Sequence, residues 1–439
     1  MDRLQEGEES LPKPSLPPEE AAIIEKVLGN DDLLREVFRR FSLPTSLVRI
    51  ACVCRRWLRI VSSQGFLDDF RRLHPPRLLG SFPSKPQDLP KLLPCRELPE
   101  DLIAVTSHAK AYFSRVSKNI PFGKYVILDM RNGHMLVAIV DVCDRTRIAV
   151  IVCTPFKAAP PVYLPFSQLS AYRGTNKGEF DMFEFLPEDG GDGRSYFEVR
   201  VIKRYNGDPR FILATVGSCE GGVRGEYRAT EPMRLPKGWC WSCRSTRGLL
   251  CGNKFYVFSN DEYILGLDLA TMILFYIYLP EEVEMVNTEY DYYKNVDLSR
   301  GEGSNFYLIY LKGFQICVWL HDTRHSDNTS NWMLIDTISL LQVFDALAKH
   351  DFSSQGCRIY LLERSGDNAE FVYLSISDTI DNYSDTDYLL HLKTRAVEVV
   401  SESHWQTTSL LNPFMMIWPP TFPAVMNEED EDERGHAGL

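Results

Sequence analysis

The chain has 439 residues, of which 44% are hydrophobic and 12% aromatic, so it is too long for one ordinary domain and apolar enough to bury a sizeable core. Its formal net charge of −12 argues against a general nucleic-acid or anionic-membrane binder. Its eleven cysteines show no framework of paired spacings, which is typical of reduced thiols in a cytoplasmic or nuclear protein.

Both ends of the chain differ in composition from the middle. Residues 1–22 are acidic and Pro-rich without an apolar core, which predicts a flexible leader and no secretory signal. Residues 427–439 begin with a run of acids, which predicts a disordered tail. The longest apolar stretch, residues 263–280, is broken by Asp268 and falls short of the ~20 residues that a membrane-spanning helix needs. We interpret it as buried strands.

Residues 23–75 carry a helical pattern. Leu33, Leu34, Val37 and Phe38 recur at steps of three and four residues, which places them on one face of a first helix. A second helix is predicted after Pro44, because its apolar residues follow the same steps. They are Leu47, Ile50, Cys54, Trp57 and Val61. A third short helix is predicted at about residues 66–73. So small a unit buries too little surface to be stable alone, so its apolar faces need a partner protein or, alternatively, another surface of the same chain.

The remainder of the chain has a different character. Residues 76–120 are predicted to form a linker that contains a helix at about residues 98–117. From residue 121 to residue 426 the pattern changes to short strands, for example residues 125–129, 135–140 and 147–152. Turn-forming pairs such as Asn132-Gly133 separate the strands. This region is therefore predicted to be one large all-β domain.

A loose internal period runs through the strand-rich region. Tyr256, Tyr307 and Tyr360 lie in similar strands that are 51 and 53 residues apart. The strands with Tyr256 and Tyr360 are each followed by a related segment, Leu267-Asp-Leu-Ala-Thr and Leu390-His-Leu-Lys-Thr. A strand cluster that recurs every ~40–50 residues predicts a β-propeller. The alternative is a large antiparallel sandwich or barrel, and without a Trp-Asp or kelch repeat pattern the number of blades stays open.

Three successive elements of the helical region resemble the F-box. The first is the Leu33-Leu34 pair with Glu-Val-Phe after it. The second is Pro44 ahead of a Leu-x-Arg…Val-Cys-x-x-Trp spacing. The third is Ser62-Ser-Gln-Gly-Phe-Leu. The rest of the chain resembles the F-box-associated β-propeller domains of plant, particularly grass, F-box proteins, through segments such as residues 131–136 and 74–80. The resemblance implies a multidomain fold with a small all-α F-box of three short helices at residues 23–75 and a β-propeller after it.

The F-box family docks on a Skp-type adaptor, which links it to the cullin of a ubiquitin ligase. The resemblance therefore implies a substrate-recognition subunit of an SCF-type (Skp–cullin–F-box) ligase, with the β domain binding an unknown target protein. The residues that it assigns to adaptor binding are Leu33, Leu34, Val37, Phe38, Pro44, Leu47, Val48, Val53 and Trp57. Neither a nucleic acid nor a membrane is expected as a partner.

The chain departs from the F-box pattern at one place. Most F-boxes begin with Leu-Pro, where this chain has Gly29-Asn30. The departure removes one apolar contact and a proline that starts the helix. It leaves open an alternative function, a non-ligase interaction scaffold whose F-box binds the adaptor weakly.

Arginines are concentrated in the F-box region. Ten arginines lie between Arg35 and Arg77, where the acids are Glu36, Asp68 and Asp69. The positive charge is consistent with steering towards an acidic adaptor surface. It is also consistent with an ordinary solvated helix surface, and a third interpretation, nucleic-acid binding, is opposed by the net charge.

No residue pattern points to catalysis, a metal or a cofactor. Cys240 and Cys243 have C-x-x-C spacing without a second pair, and His321 and His325 lie in a polar stretch without an adjacent Glu. No phosphate-binding loop or nucleophile elbow is present in the sequence. We therefore expect a non-catalytic protein. The polar segments 190–194, 290–302 and 323–331 are the candidate target-binding loops.

Overall fold

The chain divides into a small helical unit and a large β unit. In the computed structural model the described residues are 17–74, 77–83, 89–95, 98–117, 121, 123–143, 146–157, 159–166, 180–189, 191–202, 210–236, 248–258, 262–284, 295–301, 304–322, 331–345, 357–362, 371–378, 385–403, 411–420 and 422. The first compact unit comprises residues 1–76 together with 417–439, and the second comprises residues 77–416.

The helical unit has five helices among its described residues. They are α1 (Pro18–Gly29), α2 (Asp31–Phe38), α3 (Pro44–Ala51), α4 (Arg55–Val61) and α5 (Gln64–Leu73). The expectation of three helices is wrong. Helix α1 begins inside the predicted leader, and the predicted second helix is divided into α3 and α4. Cys54 is fully extended between α3 and α4, with φ −161° and ψ 163°, so the chain turns there although the apolar spacing continues.

Helices α2–α5 enclose one apolar core. Its fully buried side chains include Leu34, Leu47, Val61, Phe66 and Phe70. Trp57 packs against this core from α4, and so do Trp418 and Phe422 from the opposite end of the chain. The segment that follows residue 416 therefore lies with the helices, whereas the sequence had suggested a β domain that continues to residue 426.

The β unit consists of six antiparallel sheets in the described part of the chain. Its first elements are β1 (Leu78–Pro83), β2 (Leu93–Pro94) and helix α6 (Glu100–Val116). The next two sheets consist of β3 (Lys124–Arg131), β4 (His134–Val140), β5 (Arg147–Cys153) and β6 (Val162–Leu164), and of β7 (Phe180–Phe185), β8 (Tyr196–Ile202), β9 (Phe211–Glu220), β10 (Val223–Arg224), β11 (Arg228–Ala229) and β12 (Met233–Arg234). Two four-stranded sheets follow, one of β13 (Leu249–Cys251), β14 (Lys254–Phe258), β15 (Tyr263–Asp268) and β16 (Ile273–Tyr278), and one of β17 (Val296–Arg300), β18 (Phe306–Lys312), β19 (Gln315–His321) and β20 (Trp332–Ser339). After helix α7 (Leu340–Asp345), another four-stranded sheet consists of β21 (Cys357–Leu361), β22 (Phe371–Asp378), β23 (Asp385–His391) and β24 (Val397–Ser403). The last strand is β25 (Leu411–Met415).

These sheets are the blades of a six-bladed β-propeller. The first strands of neighbouring sheets contact each other, as β3 does with β7 and β13 with β17, while the later strands lie further out in each sheet. Buried side chains fill the space between successive sheets. Val199 and Leu265, for instance, belong to one buried cluster, and Ile309 and Leu374 belong to another. The predicted β-propeller is confirmed, and the alternative sandwich or barrel is wrong, because the apolar side chains join sheets in sequence around a ring.

The ring is closed by a sheet built from both ends of the β unit. Its strand order is β2-β1-β25, and β1 pairs antiparallel with β25. Phe414 on β25 lies between two aromatic rings: its ring centroid is 5.5 Å from that of Phe82 on β1 and 4.5 Å from that of Phe156, which follows β5. The buried side-chain amide of Asn412 donates to the Phe82 carbonyl at 3.0 Å. The closing sheet is thus bonded internally and packed against the first four-stranded blade.

The repeated segments that the sequence revealed have equivalent places in two blades. Strands β15 and β23 end in turns in which Met272 and Arg395 adopt the left-handed conformation, with φ of 58° and 62°. The backbone N–H of each donates to the carbonyl oxygen four residues earlier at 2.9 Å. The tyrosine period is less regular than predicted. Tyr256 and Tyr307 lie in the second strands of their blades, but Tyr360 lies in a first strand, β21.

Replacement of Phe414 by Ala tests the ring closure. We expect Phe414→Ala to lower the free energy of unfolding by about 3–5 kcal/mol, because it removes a fully buried ring from between two others. Urea denaturation of the full chain measures the change. Val223→Ala, at a side chain that is 73% exposed, is the control and should change stability by less than about 0.5 kcal/mol. A loss for Phe414→Ala no larger than the control's would contradict the proposed importance of the contact.

Candidate functional site

The structure separates the predicted adaptor-binding residues into two sets. Leu33, Val37 and Val53 are exposed, with 40%, 43% and 60% of their surface accessible. Leu34, Phe38, Pro44 and Leu47 are buried in the helical unit, and Val48 and Trp57 are half-buried. Leu34 and Leu47, two of the residues assigned to adaptor binding, are therefore not accessible, because α2 and α3 bury their side chains against α4 and α5.

Helix α2 explains the division. Leu33 and Val37 are one pair four residues apart, and Leu34 and Phe38 are a second pair rotated by one residue. The second pair faces the core, where the Phe38 ring meets the Trp57 ring edge-on with a centroid distance of 5.1 Å. The first pair consequently faces away from the core and is accessible to a partner.

Other exposed apolar side chains lie on the same unit. Eight of the nineteen large apolar side chains that are exposed in the described part of the chain belong to residues 17–74. Besides Leu33, Val37 and Val53 they are Ile23, Ile24, Leu28, Phe41 and Leu73. A small unit with this much exposed apolar surface is a candidate protein-binding site. We call Leu33, Val37 and Val53 the exposed apolar set.

Asn30 replaces the missing start of the F-box pattern. Its side-chain oxygen accepts from the backbone N–H groups of Asp32 at 2.8 Å and Leu33 at 3.2 Å, so it caps α2. Asp31 and Asp32 occupy the first turn, where negative charge favours the helix dipole. The departure at Gly29-Asn30 therefore keeps a defined helix start, by a side-chain cap instead of a proline.

Arg56 fastens this helix start to α4. Its guanidinium donates to the Asp31 carboxylate at 2.7 Å and to the Leu28 carbonyl at 2.6 Å. One side chain thus holds the end of α1 and the beginning of α2. Sequence reasoning missed this role, because Arg56 was one member of a run of arginines and its partners lie 25 and 28 residues away.

Several other arginines of this region also have acidic partners within the helical unit. Arg39 pairs with Asp69, and Arg72 lies 2.7 Å from the same carboxylate. Glu36 lies 3.8 Å from both Arg39 and Arg40. Part of the positive charge therefore links helices to each other. Arg49 and Arg59 are exposed, and the described residues include no ion pair with either, so they remain candidates for contact with an acidic partner.

At one end of the propeller, the segment after β7 is bonded to residues of three neighbouring sheets. The Asn132 side chain donates to the Asp189 carbonyl at 3.0 Å, and Glu188 accepts from the Asn253 backbone N–H at 3.2 Å. The Glu188 carboxylate also lies 3.5 Å from Arg300. The turns that follow β3, β7 and β13 and the last residue of β17 are thereby brought together.

The candidate target-binding loops are only partly described. Residues 191–194 form an ordered turn beside this end of the ring, in which Asp192 accepts from the Arg194 backbone N–H at 2.8 Å. This hydrogen bond lowers the pKa of Asp192 below its ordinary value. Most of residues 295–301 belong to strand β17, and residues 290–294, 302 and 323–330 lie outside the described residues.

The described residues offer little material for catalysis. They contain no group of three or more His, Cys, Asp or Glu side chains placed to hold a metal ion. Burial raises the pKa of the Cys153 thiol to about 12 and that of Cys251 to about 11, which disfavours the reactive thiolate. His321 packs against Phe306 and Trp332, and burial lowers its pKa to about 4. His325 and the Cys240–Cys243 pair lie outside the described residues.

In the described part of the chain, no helix combines the length and the apolar character needed to cross a membrane.

Comparison with known families agrees with both units. The F-box domain model matches residues 30–69, which span α2–α5, and a β-propeller family model matches residues 126–422. Helices and ring together define an F-box protein with a β-propeller. The chain belongs to the family described as F-box protein AT5G49610-like, beta-propeller. Members of this family are typically non-catalytic subunits.

Solved structures share less with this chain. A puromycin-hydrolysing peptidase of Mycobacterium tuberculosis is 12% identical over 65% of this chain and 38% of its own, with a TM-score of 0.32. The GH43 protein BlXynB of Bacillus licheniformis is 10% identical over 70% of this chain and 58% of its own, with a TM-score of 0.31. The chain thus spans less than two thirds of either structure, and scores this low add nothing to the assignment. Comparison with curated proteins gave no match.

Replacement of Asn30 tests the helix start. We expect Asn30→Ala to lower the free energy of unfolding of the helical unit by about 1 kcal/mol, because two backbone N–H groups lose their acceptor. Asn30→Asp keeps the acceptor and should behave like the wild type. Hydrogen exchange of the α2 amides measures the effect. Gly29→Ala, where a methyl group meets no atom within 4 Å, is the neighbouring control. Equal protection in Asn30→Ala and wild type would rule out the cap.

Proposed function

We propose that the chain is the substrate-recognition subunit of an SCF-type ubiquitin ligase. In this proposal the helical unit binds a Skp-type adaptor, the adaptor binds cullin, and the propeller holds a target protein. The observation that carries the proposal is the exposed apolar set on an F-box whose helix start is intact. No described residue needs to make or break a covalent bond, because the chain would act by holding a target lysine close to the ubiquitin carrier.

The exposed apolar set supplies part of the free energy that a stable complex requires. Complete burial of a Val or Leu side chain contributes about 1.5–3 kcal/mol, and these three begin 40–60% exposed. Their burial supplies a few kcal/mol, and other exposed apolar side chains such as Phe41 would add to it. A micromolar complex requires about 8 kcal/mol net. Polar contacts, for which Arg49 and Arg59 are candidates, would provide the remainder.

The alternative is an interaction scaffold with a disabled F-box. The departure at Gly29-Asn30 was its basis in the sequence. The helix cap at Asn30 and the hydrogen bond from Arg56 to Asp31 support an ordered α2, so the ligase proposal is the stronger one.

For the target, we propose the propeller end that carries residues 186–189 and 191–195. The bracing of this segment by Asn132, Asn253 and Arg300 supports the choice, since a recognition surface built on a rigid ring loses little entropy on binding. Its exposed charged side chains, Asp189, Asp192 and Arg194, would determine specificity.

The adaptor interface is tested by two charge substitutions on one helix face. We expect Leu33→Asp/Val37→Asp to abolish co-purification of the full chain with a purified Skp-type adaptor, because both substitutions put a charge into the apolar interface. Both residues are exposed, so circular dichroism should remain that of the wild type. Leu47→Asp is unsuitable for this purpose, because Leu47 is fully buried.

Val223→Asp on the propeller is the matched control and should retain the adaptor. A complex that survives the double substitution would exclude this surface. Absence of binding by the folded wild-type chain would make the scaffold alternative the better account.

A charge reversal on the propeller tests the target surface. We expect Arg194→Glu to remove a subset of the proteins that co-purify with the full chain while the adaptor is retained, since Arg194 lies exposed in the braced segment. Quantitative mass spectrometry of the purified complexes measures the change. Arg234→Glu, an exposed arginine on strand β12, is the control. Identical sets for both variants would contradict the proposed target surface.

A further inference from the structure

The helical unit includes a segment from the other end of the chain. Trp418 and Phe422 pack against the core of α2–α5. The Trp418 ring stacks on the Phe70 ring with an interplanar angle of 4° and a centroid distance of 5.8 Å. The F-box model ends at residue 69, and the propeller model includes residues up to 422. Neither assignment attributes a role in the F-box to this segment.

A backbone hydrogen bond joins the two ends of the β unit. The Met416 backbone N–H donates to the Arg77 carbonyl at 3.0 Å. Arg77 is the first residue after the helical part of the chain, and Met416 is the last residue before the returning segment.

The contact continues from Trp418 to the helix that carries the exposed apolar set. The Phe70 ring also lies against the His74 ring, with a centroid distance of 4.8 Å. His74 Nε2 donates to the Arg39 carbonyl at 2.7 Å. Arg39 is the C-cap of α2, and its guanidinium is paired with Asp69 on α5. The side of α5 on which Trp418 packs is therefore bonded directly to the end of α2.

We propose that Trp418 is a positioning residue for adaptor binding, which acts through Phe70 and His74 to fix the orientation of α2. The inference rests on the proposed function, because it concerns the same surface. It extends the adaptor-binding module to Trp418, more than 300 residues beyond the end of the F-box match.

Substitutions of Trp418 in the full chain test the proposal. We expect Trp418→Ala to weaken adaptor binding about tenfold, which is the effect of losing one aromatic stack of ~1.4 kcal/mol. Trp418→Phe keeps a ring against Phe70 and should restore most of the affinity. Trp332→Ala, at a half-buried Trp on strand β20, is the control for general destabilisation and should bind like the wild type. Calorimetric titration with a purified Skp-type adaptor gives the affinities, and hydrogen exchange reports on α2 and α5.

The two readouts separate this proposal from the proposed function. Unchanged affinity in Trp418→Ala overturns the positioning role, even if exchange in α5 increases. An equal loss in Trp332→Ala overturns it too, because the effect would then be general. If the wild type does not bind the adaptor, the proposed function fails, and hydrogen exchange alone tests whether Trp418 fixes the orientation of α2. Faster exchange of the α2 amides in Trp418→Ala, but not in Trp418→Phe, would then support control of α2 by Trp418, and unchanged exchange would overturn it.

Discussion

The antiparallel pairing of β1 with β25 joins two parts of the chain that are about as far apart in sequence as any in the β unit. The hydrogen bond from Asn412 to Phe82, for example, spans 330 residues. The other five sheets are each built from consecutive strands, so each could form from local segments. The closing sheet could not, and its formation requires the whole ring to be in place. Because every blade buries apolar side chains against the next, an open ring would leave two apolar sheet faces in water. The stability of all six blades therefore depends on this one pairing.

The helical unit also combines residues from both ends of the chain. Trp418 and Phe422 pack with the core of α2–α5. A unit of about 60 residues has little surface to bury, so two additional aromatic side chains are a substantial part of its core. The F-box of this chain is consequently made from two segments that the family models assign to different domains.

The arginine-rich stretch combines two roles that its composition does not distinguish. Arg39 and Arg56 link helices through Asp69 and Asp31, so they contribute to the internal structure of the unit. Arg49 and Arg59 are exposed and lack such a partner among the described residues. Neither a solvated surface nor a binding surface describes the whole stretch, because neighbouring arginines on a short helix point in different directions.

The sequence alone determined the class of the protein and the type of most elements. The steps of three and four residues located α2, α3 and α5, and the alternating strands with turns such as Asn132-Gly133 located β3–β5. Such patterns arise from contacts within an element or between consecutive ones, so they are visible in a short window. Tertiary structure decided which apolar pair of α2 faces outwards. Leu33 with Val37 and Leu34 with Phe38 are equivalent by spacing, and the position of α4 and α5 selects the second pair for the core. It also decided the partners of Arg56, the closing sheet and the place of Trp418, because these contacts join residues from 25 to more than 300 positions apart and leave no periodic trace in the sequence.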